Sequence, residues 1–432
     1  MTLAAQVLVT GASGFIGSHI TQALCLAGYD VICCGRDTTR LKAQFPSCRV
    51  VEYDFTKPPT SDFPDSLLRG VSVVINASGI IQEHGANTFE TVHRDGPIAL
   101  FRAAERAGVR RIIQISALGS DTHATTRYHR TKQAADNVLK TLSVEWVILH
   151  PSLVYGTGGR SHAFFSALAA LPILPLPGHG DQQVQPVHIN DFVLGIVRLL
   201  QSTAPSHVTL AVVGPEPVTF RQFMEAIRKW LGMTAGPTLA VPMGLISLVA
   251  RIGDIVRSEF VNTDTLSMLR RGNTADPTAF QRLTSVEIQS LSKGLPAAAG
   301  TSPDLIMARL YFLSPLLRLS IATVWIGSGV VALFFYPHDI SEAWLRRTGI
   351  PSAWTGLTLT AASMLDIILG LAMLARWRMP LILASQLVLI LGFTVILTAR
   401  MPELWAHPFG PLLKNFPLCI ATLVLWALER RP

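Results

Sequence analysis

Beyond Arg318 the chain almost stops carrying charge. Residues 319–338 hold no charged side chain, residues 349–375 hold one, Asp366, and residues 379–399 hold none. A shorter uncharged stretch, 415–428, follows Lys414. A helix of about 20 apolar residues spans a bilayer, and three such stretches in succession leave few soluble folds open. The spacing predicts four transmembrane helices, at 318–336, 353–375, 380–398 and 412–428. The last needs Lys414 to reach back towards the interface. Asp366 falls mid-way along the second segment. A carboxylate there is costly in hydrocarbon, so it is expected to face the bundle interior, with His407 or Lys414 as first partner.

Residues 1–310 read as a water-soluble domain. Across the whole chain only 15% of residues are charged, below the roughly 25% of soluble proteins. The net charge is nevertheless +8. With no nucleic-acid motif, that balance fits anionic lipid headgroups, so the expected partner is a lipid bilayer and not a nucleic acid. The five cysteines have no C-x-x-C spacing, which predicts free thiols and no metal site. The first residues lack a basic leader region and run straight into a strand, so this domain is expected to stay where it is made. Lys293, Arg309, Arg318, Arg376, Arg378, Arg430 and Arg431 would lie inside, against Arg346, Arg347, Arg400 and Lys414 outside. That bias places the first domain and the C-terminus in the cytoplasm, on a bacterial-type cell membrane.

Residues 7–10 form a short β-branched strand, followed by Gly11-Ala-Ser13-Gly14-Phe15-Ile16-Gly17 and a helical stretch, 18–27. Glycines allow a tight turn and close backbone approach, and the helix N-terminus faces a pyrophosphate. A second strand, 30–34, ends at Gly35-Arg36-Asp37, where the ribose 2′ position is read. Arg36 favours the 2′-phosphate of NADP, and Asp37 keeps NAD open. Further strands at 50–53, 71–76, 111–115 and 144–150, with helices such as 96–107 and 132–141 between them, imply a parallel sheet covered on both faces. Asp54 and Asn76-Ala77-Ser78-Gly79 fall at C-terminal strand ends, where ligands of such sheets bind. Asp54 is placed to accept from an adenine amino group.

Tyr128 and Lys132 stand four residues apart, on one helix face. A lysine beside a phenol stabilises phenolate and lowers a pKa otherwise near 10. Such a phenol exchanges a proton with a substrate hydroxyl or carbonyl while a hydride moves to or from nicotinamide.

These segments, together with His150-Pro151-Ser-Leu153-Val154-Tyr-Gly156 and Pro186-Val-His-Ile-Asn-Asp191, resemble a short-chain dehydrogenase/reductase of the extended or atypical kind over residues 1–300. The nearest branch contains the nucleotide-binding accessory subunit of respiratory complex I. Residues 316–329, Asp366 and 407–417 resemble DoxX-like four-helix membrane domains. The resemblance implies a doubly wound parallel-sheet Rossmann domain, α/β in class, with a small substrate lobe within 155–300. A linker at 301–315 and an all-α four-helix membrane bundle at 316–432 follow. It implies that Phe55, Ala77, Ser78, Gly79, Pro151, Leu153 and Val154 line the cofactor beside the glycine loop, Arg36 and Asp54. It assigns the active-site hydroxyl after the fifth strand to Ser116, with Ser120 as substitute, because Leu118 occupies the position where a hydroxyl is usual. Residues 169–180 read as a loop over the nicotinamide or against the membrane, and 242–255 as an interfacial helix.

Three functions follow. One is an NADP-dependent reductase for a lipophilic substrate, a quinone, isoprenoid or lipid carbonyl. The second is a non-catalytic, NADPH-bound scaffold or assembly factor of a respiratory or quinone-biosynthesis complex. The third is a nucleotide-sugar or sterol-type epimerase/dehydrogenase.

Overall fold

The computed structural model describes residues 5–57, 63–201, 204–297 and 299–429. It divides into two compact units, Met1–Ala308 and Arg309–Pro432.

The first unit is built on a seven-stranded sheet. Its strands are β1 (Gln6–Thr10), β2 (Asp30–Gly35), β3 (Arg49–Glu52), β4 (Val73–Asn76), β5 (Arg111–Ile115), β6 (Glu145–Pro151) and a seventh, Val208–Val212. The spatial order is seventh-β6-β5-β4-β1-β2-β3, and every neighbouring pair is parallel. β1 and β4 flank the point where the winding reverses, which is where such sheets bind ligands, at the carboxyl ends of the strands. Helices α1 (Phe15–Leu26), α2 (Thr38–Gln44), α3 (Gly96–Arg106) and α4 (Arg127–Leu139) fall between the strands. The strands are apolar on both faces, and each face has its own core. Val7, Val9, Ile75, Ile113 and Val147 pack with α1 on one side. Leu8, Val74, Ile112 and Ile148 pack with α3 and α4 on the other.

A smaller lobe holds helix Phe220–Trp230, whose Phe223, Met224 and Ile227 are fully buried. Residues 169–180, expected as a loop, contain a strand instead. Leu174–Pro177 pairs in parallel with Thr238–Val241 and sends Leu174 and Leu176 into the core. The alternation of leucine with proline masked that strand, because proline suits only an edge.

Among the described residues three helices are long and apolar enough to cross a membrane: Ser302–Phe335, which starts in the first unit and continues into the second, and Ser352–Leu374 and Met379–Arg400 of the second unit. The fourth expected span, Asn415–Glu429, has only 15 residues, about 22 Å at 1.5 Å per residue against roughly 30 Å of hydrocarbon. Pro408 and Pro411 hold the preceding residues out of the helix. The segment 301–315 is helical from Ser302 onward, because helix Ser302–Val330 runs through Pro315 without a break. Glu429 pairs with both Arg318 (2.8 Å) and Arg376 (2.7 Å), so the ends of the second and last helices lie level with the middle of helix Ser302–Val330. At the opposite end Arg347 pairs with Glu403. Gly329 and Gly370 let the first two helices approach closely: a Cβ on Gly329 would lie 2.4 Å from the Ser363 carbonyl oxygen. Asp366 is half-buried and makes no ion pair with His407 or Lys414 among the described residues. Arg430 and Arg431 lie outside the described residues.

Candidate functional site

At the end of β1 the chain turns through Gly11, whose φ of +66° is the left-handed region that favours glycine. A Cβ there would lie 2.7 Å from the Ala77 carbonyl oxygen, and one on Gly17 would lie 2.1 Å from that of Gly11. The loop is therefore wound tightly enough to expose backbone amides at the start of α1, the arrangement that takes a pyrophosphate. Phe15, Ile16 and Gly17 form the first turn of that helix.

A cleft of about 210 Å³ opens from this loop. Of the expected cofactor residues, Gly11, Ser13, Gly14, Arg36, Asp54, Phe55, Ala77, Ser78 and Gly79 line it. Tyr53, Thr56, Ile80 and Asn87 line it as well and had not been singled out. Pro151, Leu153 and Val154 are not among its lining residues; they continue from the end of β6. The cleft fits a dinucleotide: two glycine positions admit no side chain, Arg36 supplies a cation and Asp54 an anion. Arg36 follows β2 directly and donates to Asn87. Asp37 caps α2, accepting the Arg40 N–H at 2.9 Å. Asp54 accepts the Thr56 N–H and hydroxyl on one oxygen, at 3.0 and 2.8 Å.

Beneath the cleft a buried polar chain ties three strand ends together. Thr10 donates to Asn76 (2.6 Å), and the Asn76 amide donates to Gln114 (2.7 Å). The Asn76 side-chain oxygen also accepts the Ser78 N–H, at 3.3 Å, which shapes the 77–79 turn.

Helix α4 starts at Thr126, whose hydroxyl accepts the His129 N–H. That cap puts Tyr128 in the first turn and Lys132 one turn further on. The Lys132 ammonium is buried, donates to the Ile115 carbonyl at 3.1 Å and stands 5.7 Å from the centroid of the Tyr128 ring. A Cβ on Gly79 would be 3.6 Å from the Lys132 nitrogen, so the expected cofactor turn and the tyrosine–lysine pair meet. The Tyr128 hydroxyl has no hydrogen-bond partner among the described residues.

The electrostatics differ from the expectation of a lowered phenol. Burial pushes Tyr128 up to about 12 and Lys132 down to about 8. Desolvation of each charged form outweighs any mutual stabilisation. At neutral pH the pair is a protonated phenol beside an ammonium.

Sequence reasoning missed His93. It lies on a π-wound turn, Glu90–Asp95, ahead of α3 and is almost fully buried. Its Nε2 accepts the Ile80 N–H at 3.0 Å, so the ring proton sits on Nδ1. Its ring meets Tyr128 edge-on, with centroids 5.1 Å apart. Burial first, and then the Lys132 charge, hold it well below the ordinary histidine value. No periodicity marks this residue; only the tertiary fold brings it beside the tyrosine.

Ser116 ends β5 as expected, but its hydroxyl donates to Asp136 at 2.5 Å, and His150 shares the same carboxylate oxygen at 3.1 Å. Ser120 is buried, and its hydroxyl has no partner among the described residues.

Residues 7–211 match the NAD dependent epimerase/dehydratase family, and residues 322–423 match the DoxX-like family. The chain joins an epimerase/dehydratase-type Rossmann domain to a DoxX-like domain. The ceramide reductase of Caulobacter vibrioides is 26% identical over 228 residues, which cover 52% of this chain and 70% of that protein. NADH dehydrogenase [ubiquinone] 1 alpha subcomplex subunit 9 of Arabidopsis thaliana is 31% identical over 234 residues, covering 51% and 58%. The mouse subunit 9 is 28% identical over 247 residues, covering 55% and 63%. This chain thus spans less than two thirds of the subunit 9 relatives. Among solved structures, UDP-glucuronic acid 4-epimerase from Bacillus cereus, in complex with UDP-glucuronic acid and NAD, superposes with a TM-score of 0.52 at 20% identity. It covers 71% of this chain and 99% of its own. That likeness is one of fold. The epimerase/dehydratase-type domain is of the kind that works as an NAD(P)-dependent oxidoreductase, and the DoxX-like domain carries the membrane-capable helices.

Proposed function

We propose that the protein is a membrane-tethered, NADP(H)-dependent reductase of a carbonyl or quinone-related group on a lipophilic substrate, with Tyr128 and Lys132 as its proton-transfer pair. The observation that carries this reading is the meeting of the glycine-loop cleft with the Tyr128–Lys132 pair at Gly79. The choice of NADP rests on Arg36, which lines the cleft, while Asp37 is committed to capping α2. The relative named as a ceramide reductase favours a lipid carbonyl among the substrates worth testing.

When bound, the nicotinamide supplies the hydride. The chain's own residues supply the rest. Tyr128 gives its phenolic proton to the substrate oxygen as that oxygen becomes an alkoxide. Lys132, held against the Ile115 carbonyl, stabilises the phenolate left behind. A phenol raised by burial suits this direction, because it is fully protonated at neutral pH. His93 is neutral and holds the Ile80 amide, which keeps the turn after Gly79 in place. Pro151, Leu153 and Val154, which continue from the end of β6, are also proposed as cofactor-binding residues.

Ser116 favours a second reading. A hydroxyl donated to a buried aspartate is not free to polarise a substrate, and the subunit 9 relatives belong to a respiratory complex by name. A non-catalytic, nucleotide-bound scaffold would look like this. For either reading we place the Rossmann domain on the cytoplasmic side, together with the bundle end that carries Arg318 and Arg376.

The test is NADPH oxidation by the detergent-purified full chain against quinones and lipid carbonyls. Turnover on one of them supports the reductase. Tight NADPH binding with no turnover on any of them would replace it with the scaffold.

A further inference from the structure

Helix Met243–Ile255 is packed the wrong way round for a soluble protein. Its buried residues are small, Ala250 and Gly253. A Cβ on Gly253 would lie 1.7 Å from the Val261 carbonyl oxygen, so the small face is pressed against the following turn. The large residues point outward. Leu245, Leu248, Val249, Ile252, Ile255 and Val256 recur at spacings of three and four and form one stripe. Leu248 is 53% exposed and Ile255 81%. Leu239, on the neighbouring strand Thr238–Val241, and Ile173, just before the strand paired with it, are also more than half exposed. Contiguous apolar surface of this kind marks an interaction site.

We infer that this stripe is a membrane-docking surface whose partner is an anionic bilayer. Two observations choose the bilayer. The first is charge. Arg251 and Arg257 are exposed at the stripe and make no ion pair among the described residues, and Arg270 lies beside it, donating to Ser247 at 2.7 Å. The acid on the helix, Asp254, is turned to the Thr263 N–H at 3.1 Å. An apolar stripe with a cationic rim is the pattern of a helix lying in the plane of an anionic lipid surface. The second is tethering. The first unit continues directly into helix Ser302–Phe335, the first of the membrane-capable helices, so the same chain that carries the stripe is tethered to the bilayer.

The docked helix is coupled to the candidate active site. The adjoining helix Thr263–Arg271 ends at Arg271, which donates to the Gly119 carbonyl (3.0 Å) and pairs with Asp121 (2.7 Å). Both residues lie on the loop between β5 and α4, the segment that leads to Tyr128. On the reductase reading, this is the side from which a lipid-borne substrate enters.

The experiment labels the full chain, reconstituted in vesicles of phosphatidylcholine and phosphatidylglycerol, with an environment-sensitive fluorophore at Leu248→Cys. A control carries it at Leu26→Cys, which is 83% exposed on α1; the labelled parent is subtracted from both. Spin-labelled lipids are expected to quench the probe at position 248 at least about threefold more than at position 26, and less strongly in pure phosphatidylcholine. A probe at 248 in water, or one shielded without lipid quenching, overturns the inference. The second outcome would mean that protein covers the stripe, either the membrane helices or another copy of the chain. The readout needs no turnover, so it stands apart from the reductase reading. A double Leu248→Glu, Ile252→Glu variant removes surface side chains only. It is expected to abolish lipid quenching of a probe at Ile255→Cys while NADPH affinity stays unchanged. Quenching that persists in this variant also overturns the inference.

Discussion

Arg36 and Asp37 are neighbours in sequence with separate tasks: Arg36 lines the cleft and reaches Asn87, while Asp37 turns its carboxylate back onto the Arg40 amide. The residue free to meet a nucleotide at the end of β2 is therefore the cation. Arg36→Ala is expected to weaken NADPH binding about tenfold or more and to leave NADH binding nearly unchanged. Asp37→Ala should cost about 1 kcal/mol of stability through the lost cap, with cofactor preference intact. Fluorescence titration of both cofactors on both variants checks this. Equal affinities for the two cofactors in the wild type would remove the NADP assignment.

Gly17 and Gly28 separate space from strain. A Cβ on Gly17 collides with the Gly11 carbonyl, whereas one on Gly28 meets nothing within 4 Å but must hold a φ of +82°. Gly17→Ala should destabilise the domain by about 1–3 kcal/mol and abolish detectable NADPH binding, because the loop must move. Gly28→Ala should cost about 1 kcal/mol and leave NADPH affinity unchanged. Thermal denaturation with and without NADPH measures both.

Lys132 makes a stability prediction with a definite sign. Burial lowers it from 10.5 to about 8. Between those values the unfolded chain holds the proton that the folded chain has released, so stability rises with pH across that window. Below about pH 8 both states are charged, and the folded chain carries the full penalty, about 3 kcal/mol. Lys132→Met removes that penalty and loses one hydrogen bond worth about 1 kcal/mol. The variant should melt higher than the wild type at pH 7, and its advantage should disappear by about pH 10.5. Melting curves of the two proteins that stay parallel from pH 7 to 10.5 would contradict this.

Much of the Rossmann half was legible. Glycine spacing and β-branched runs located β1 to β6 to within a residue or two, because strands buried on both faces are continuously apolar. The glycine loop, Arg36, Asp54 and the 77–79 turn were readable because each follows a strand directly, and the parallel order carries all of them to one edge. His93 and Asn87 were not readable, since tertiary packing alone brings them to the site. The raised phenol of Tyr128 depends on how deeply α4 is seated, which the Tyr-x-x-x-Lys spacing does not encode. Uncharged length located the membrane segments, but not the length of the fourth helix, which prolines near 411 hold to the 15 residues Asn415–Glu429.

The central claim is that Tyr128 delivers a proton during NADPH-dependent reduction. Its most direct test is single-turnover NADPH oxidation by the full-length wild type and Tyr128→Phe, with the NADPH dissociation constant measured on the same samples. The account predicts a rate at least about 100-fold lower for the phenylalanine variant. It also predicts nucleotide affinity within about twofold of wild type, because the phenol hydroxyl transfers a proton and does little to hold the cofactor. Equal rates in the two proteins would contradict it and move the chemistry to another residue.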